Sequence, residues 1–152
     1  MPNAPVDRRL GYAWLAFAGA LALHVTDEAT HDFLSTYNPS VAAIRARLPF
    51  LPLPTFTFGV WLTGLVAGIT LLFLLSPYAF RGARWLRLAA LPLSVVVGIG
   101  NACLHLLSSA YYHRWMPGVY SSPALLTAAI FLLLLARKPQ LVAVPSLAKL
   151  RS

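Results

Sequence analysis

Apolar residues are gathered into four stretches, at 10–34, 55–75, 86–111 and 119–136. A helix needs roughly 20 predominantly apolar residues to cross a bilayer, and each stretch is near that length. The second is closed by Ser76-Pro77, and the third contains Pro92, which predicts a kink. The fourth is closed by Arg137-Lys138-Pro139, while Ser121-Ser122-Pro123 offers an alternative helix start that would make it short. Between the first two lies NPSVAAIRARLPFLPLP, whose four prolines preclude a long helix. Within it Val41–Leu48 reads as a short interfacial helix with Arg45 and Arg47 at the headgroups. The pattern predicts an all-α integral membrane protein, a four-helix transmembrane bundle with a Pro-rich, partly helical loop between helices 1 and 2. A single membrane-embedded domain covers 1–152, with 139–152 as a surface tail.

Composition supports lipid as the solvent. The 152 residues are 59% hydrophobic and 11% charged, with mean hydropathy +0.70, against about 25% charged in soluble domains. The net charge of +8 does not indicate nucleic acid, because the basic residues punctuate the apolar stretches instead of forming one stripe. Nine of the 12 fall on one side of a four-span bundle: Arg8, Arg9, Arg81, Arg84, Arg87, Arg137, Lys138, Lys149 and Arg151. Arg45, Arg47 and Arg114 fall on the other. By the positive-inside rule both termini are cytoplasmic, in the inner (plasma) membrane of a bacterium. Arg8-Arg9, the run Leu10–Gly19 and Ala20-Leu21-Ala22 together mimic a signal peptide. The polar pattern runs straight on past Ala22, so an uncleaved span is expected. The lone Cys103 can form no intramolecular disulfide and reads as a small core residue.

Against this apolar background the segment ALALHVTDEATHDFL is anomalous. It holds three of the four acidic residues and two of the four histidines, as His24, Asp27, Glu28, His31 and Asp32. At ~1.5 Å rise per residue, His24 lies ~21 Å and Glu28 ~27 Å from the Leu10 end of the first span. Counted from Leu86, Asn101 and His105 lie at ~22 Å and ~28 Å. The two pairs are therefore level, in the outer half of the bundle. Their azimuths agree: His24, Asp27, Glu28 and His31 share one face, and Ser94, Gly98, Asn101, His105 and Ser108 form a small-or-polar stripe on the third span. Gly64 and Gly68 on the second span offer further close helix packing. Ionisable groups inside a membrane are costly and usually face a bundle interior or water. Asp32 and His31 also suit a helix end at the interface, and His113 and Arg114 an outer loop.

Three motifs run along the chain in order: His24-Val-Thr-Asp27-Glu28, Asn101-Ala-Cys-Leu-His105 and Trp115-Met-Pro117-Gly118-Val-Tyr-Ser121. Together they resemble the signature of the HXXEE family of integral membrane proteins, which is His-x-x-Glu-Glu, Asn-x-x-x-His and Tyr-x-Pro-Gly-x-x-Thr. The sequence departs from it at Asp27, Trp115 and Ser121. These changes keep the charge, the aromatic ring and the hydroxyl respectively, but a role for the tyrosine hydroxyl is not carried over. The resemblance implies a polytopic membrane protein with an active site drawn from these motifs, supported by Trp115, Pro117, Gly118 and Ser121. It names no reaction.

Three functions remain open on the residues themselves. In a metal-dependent membrane enzyme, His24, Glu28 and His31 at i, i+4 and i+7 would converge on one ion. His105 would complete an N/O set suited to zinc or iron. Glu28-x-x-His31 matches half of a di-iron helix pair, but Asn101 stands where the second carboxylate is needed, which favours a mononuclear site. Asp27 would then orient a ligand or act as general base. In a metal-free enzyme, Glu28 and His105 would work as an acid–base pair on a lipid or isoprenoid. In a non-enzyme, the same pocket would serve a transporter, proton relay or small-ligand carrier. Catalytic candidates are Asp27, Glu28, Asn101 and His105; metal candidates are His24, Glu28, His31 and His105. The partners expected are membrane lipids and a small hydrophobic molecule, with no nucleic acid.

Overall fold

A computed structural model describes residues 8–137, in which the regular structure is all helical and no strand is present. The tail 139–152 and the basic residues Lys138, Lys149 and Arg151 lie outside the described residues. Five helices follow one another: α1 (Arg8–Thr30), α2 (Phe33–Arg47), α3 (Phe58–Phe80), α4 (Arg84–Tyr112) and α5 (Ser122–Ala136). Helices α3 and α4 are long and apolar enough to cross a membrane, while α5 is a shorter apolar helix.

Helix α1 packs between α3 and α5, and α5 in turn packs along α4. Leu10, Trp14, Phe17, Ala18 and Leu21 of α1 form the centre of the core, against Leu72 and Ala79 of α3, Leu86, Ala90 and Ala102 of α4, and Leu125, Ala129 and Leu132 of α5. Two polar contacts tie the layers: Trp14 Nε1 donates to the Leu72 carbonyl at 2.7 Å and Arg87 Nη1 to the Leu135 carbonyl at 3.1 Å. Gly98 sits where α4 crosses α5. A Cβ there would lie 2.3 Å from the Ala129 Cβ and 2.9 Å from the Phe17 ring. Its missing side chain is what lets the two backbones approach.

The helices depart from the sequence reading at five places. The first span stops at Thr30, because Asp32 takes a left-handed φ of 52° that turns the chain before α2. Helix α2 then begins at Phe33, well before the expected Val41, and runs through Pro39. That proline forfeits one i→i−4 bond. The lost bond is outweighed by Leu34 and Val41, both buried, and by a clamp on the following strap. In the clamp Asn38 Nδ2 donates to the Phe56 carbonyl at 2.9 Å and Phe56 N donates back to Asn38 Oδ1 at 3.1 Å. Ser76-Pro77 does not end the second span. The chain breaks step only at Leu75 and continues as helix to Phe80, with Pro77 in the first turn, where no N–H is needed. Pro92 produces a wide π-helical stretch, Leu93–Gly100, within an otherwise continuous α4. The fourth helix takes the shorter alternative and begins at Ser122.

Gly64 and Gly68 do not pack helices together: a Cβ at either would meet nothing within 4 Å. Helix α3 is mostly exposed, with Val60, Val66, Leu71, Phe73 and Leu74 outward, and α4 exposes Leu88, Val95, Val96, Leu104 and Leu107.

Candidate metal centre

Where the last two turns of α1 pass the end of α4, three ligating groups meet. His105 Nε2 lies 3.0 Å from Glu28 Oε1, and His24 Nε2 lies 3.6 Å from the same oxygen. The two imidazole rings stand edge to face, centroids 4.9 Å apart. One donor atom from each residue falls within 4.8 Å of the others, a group that could hold a metal ion. Two ligands about 2.0–2.1 Å from a tetrahedral ion sit ~3.3 Å apart, close to the 3.0 and 3.6 Å that separate the two imidazoles from Glu28 Oε1. All three side chains are buried, His24 completely. Helical spacing explains the first pair, since i and i+4 share a face. The π-helical stretch ahead of Asn101 sets the azimuth at which α4 presents His105.

The chemistry of the donors fits a cation. Among the described residues, His24 Nε2 is buried without any hydrogen-bond partner. An orphaned buried polar atom costs about 1–3 kcal/mol, and a divalent ion bound there would satisfy it. Two imidazoles and one carboxylate form the donor set both of catalytic zinc sites and of non-haem iron sites.

The loop 113–121 closes the centre from the α5 side. Gly118 has φ 85°, and a Cβ there would lie 2.8 Å from both Cε1 and Nδ1 of His105. Only glycine suits that backbone and leaves room for the ring. On the opposite side the Phe33 ring lies 5.6 Å from that of His105. Ser121 joins the loop to α1: its backbone N and its Oγ both donate to Asp27 Oδ2, at 2.9 Å and 2.8 Å. Its Oγ also lies 2.9 Å from His24 Nδ1. Asp27 thereby anchors the N-terminus of α5, a favourable place for a carboxylate.

The expected site residues thus separate into three groups. His24, Glu28 and His105 come together. Asp27, Gly118 and Ser121 surround them. His31 stands apart: its side chain is half exposed at the turn after α1, and its Nδ1 lies 2.8 Å from the Asp27 carbonyl and 2.9 Å from Asp27 Oδ1. The left-handed turn at Asp32 ends the helix before His31 can continue the i, i+4, i+7 face. Asn101 is half buried one turn before His105 and makes no described hydrogen bond to the group. Trp115 is exposed, stacked at 5.5 Å on Tyr120, and Pro117 is half buried in the loop. Sequence reasoning misses Phe33 and Tyr120. Tyr120 lies inside the third motif and its ring contacts His31 at 5.3 Å; Phe33 carries no signal, because a lone aromatic residue after Asp32 reads only as the end of the first span.

No family model matches the chain, and no curated protein and no solved structure matches it.

Proposed function

We propose that the chain is a membrane-embedded, metal-dependent enzyme acting on a lipid-like or small hydrophobic substrate. The ion is held by His24, Glu28 and His105. The observation that carries this reading is the bare, buried Nε2 of His24 aimed at the Glu28–His105 pair. Three protein ligands leave a coordination position for water or substrate, as in catalytic zinc sites. The motif resemblance to the HXXEE family agrees with a site at these residues.

Bilayer placement is part of the proposal. The outward-facing apolar chains of α3 and α4 favour lipid, with α1, α3, α4 and α5 as the four spans of an inner-membrane protein whose termini are cytoplasmic. Helix α5 has 15 residues, or ~22 Å, less than a ~30 Å hydrocarbon core. Its Ser122 end therefore stops within the bilayer, where Met116, Gly118, Val119 and Ser121 of the preceding loop are buried by protein. Non-helical backbone at that depth is tolerated only when so covered. An apolar cleft of about 1190 Å³ runs along the α1–α5 seam past Ala13, Ala16, Ala20, Ala124 and Phe131. A second pocket of about 440 Å³ lies beside Asp27, His31, Tyr120 and Ser121. The first suits an acyl or isoprenoid chain.

The test is turnover of a total lipid extract by purified protein, followed by mass spectrometry. Metal-loaded wild type should change at least one lipid, while chelator-stripped protein and the Glu28→Ala variant should not. A second reading is favoured by the 3.0 Å contact of His105 with Glu28, which suits a metal-free acid–base pair. Turnover that survives chelation but not His105→Ala would select it.

A further inference from the structure

Ser121 has one hydroxyl hydrogen and three polar neighbours. Its Oγ lies 2.8 Å from Asp27 Oδ2, 3.2 Å from the Gly118 carbonyl and 2.9 Å from His24 Nδ1. A carboxylate oxygen and a carbonyl only accept. The hydroxyl hydrogen must go to one of them, which leaves the third contact a single polarity. His24 must donate from Nδ1, and Ser121 Oγ must accept.

We infer that Ser121, itself oriented by Asp27, is a positioning residue that holds His24 as the Nδ1–H tautomer and leaves Nε2 as a bare lone pair facing Glu28 and His105. In a neutral imidazole one nitrogen carries the hydrogen and the other does not. The assignment explains two observations made independently of it. His24 Nε2 is buried with no hydrogen-bond partner among the described residues. It also stands 3.6 Å from Glu28 Oε1, whereas His105 Nε2 approaches the same oxygen to 3.0 Å. A shared hydrogen draws the second pair together; two facing lone pairs hold the first apart. The hydroxyl at position 121 thus does for His24 what a carboxylate or carbonyl partner does for metal-bound histidines generally, fixing tautomer and ring orientation. Its purpose rests on the metal reading above, but its geometry does not.

The test is two-bond 1H–15N correlation spectroscopy of the full-length, 15N-histidine-labelled protein in detergent with chelator present. Signals are assigned with His24→Gln, His31→Gln and His113→Gln. Wild-type His24 should be protonated at Nδ1 and bare at Nε2. Ser121→Ala should move the hydrogen to Nε2, where Glu28 can accept it, and lower zinc affinity at least ~10-fold. Ser121→Thr, which keeps the hydroxyl, should restore both. A protonated Nε2 in the wild type, as tautomer or imidazolium, would overturn the inference, as would an unchanged spectrum in Ser121→Ala. Should Ser121→Ala not fold, the wild-type spectrum alone decides. An Nδ1–H His24 in a wild type that takes up no zinc would uphold the tautomer and sink the metal reading instead.

Discussion

Gly118 and Gly64 make a matched pair for residue-scale tests. Gly118 combines a φ of 85° with a Cβ position 2.8 Å from the His105 ring. Gly118→Ala should therefore displace the imidazole, weaken metal binding by at least ~10-fold and destabilise the fold by about 1–3 kcal/mol. Gly64 has open space at its Cβ position, so Gly64→Ala should be neutral or stabilise by about 0.5–1 kcal/mol through helix propensity. Thermal unfolding in detergent with a parallel zinc titration reads both; equal behaviour of the two variants would contradict the role given to Gly118. His31 supplies a second contrast. Spacing makes it a metal candidate, but it lies against Asp27 with a half-exposed side chain. His31→Gln should leave metal stoichiometry unchanged, and a loss matching that of His24→Ala would return His31 to the ligand set.

At the scale of elements, the centre depends on how α4 is held against α5 and α1. Gly98 is the point of closest approach, with Ala129 and Phe17 on the far side of the missing Cβ. Gly98→Val should force the helices apart and cost about 1–3 kcal/mol or more by overpacking. Because Asn101 and His105 follow on the same helix, position 105 should retreat from α1 as well. Crosslinking in the triple variant His24→Cys, His105→Cys, Cys103→Ala reports this: efficient with Gly98 and reduced once Gly98→Val is added. Crosslinking that survives unchanged would show that the glycine does not set the helix spacing. The pairing of these two helix faces was legible because depth and azimuth follow from regular helical rise, so His24, Glu28 and His105 could be matched level by level. What regular geometry cannot supply is the irregular backbone. Asp32 turns the chain just where His31 should have stayed on the α1 face. Pro39 sits inside continuing helix because neighbouring contacts outweigh one lost bond, and Pro77 because it falls in the first turn after the break at Leu75, where no N–H is needed. Pro92 introduces a π stretch, which changes azimuth without changing composition.

For the whole molecule, the fold leaves α3 and α4 clothed in outward apolar side chains while His24, Asp27, Glu28 and His105 are buried together. This division is what the proposed bilayer placement requires, since ionisable groups in lipid face a bundle interior. The expected topology is checked by reporter fusions: one after Lys138 should read cytoplasmic, and one in the loop near Arg45 extracytoplasmic, with the opposite pattern overturning the orientation. The third motif was legible in sequence as Pro117-Gly118 and Ser121. Its use was not, because the hydrogen bonds that join Ser121 with Asp27 and His24, across 94 and 97 residues, have no signature in local spacing. The proposed function requires that His24, Glu28 and His105 hold one ion. Elemental analysis of protein purified without a histidine tag or chelator tests it most directly. About one zinc or iron per chain is predicted for the wild type and for His113→Ala, with loss of that metal in His24→Ala, Glu28→Ala and His105→Ala alike. Substoichiometric metal in the wild type, or full retention in those three variants, would contradict it.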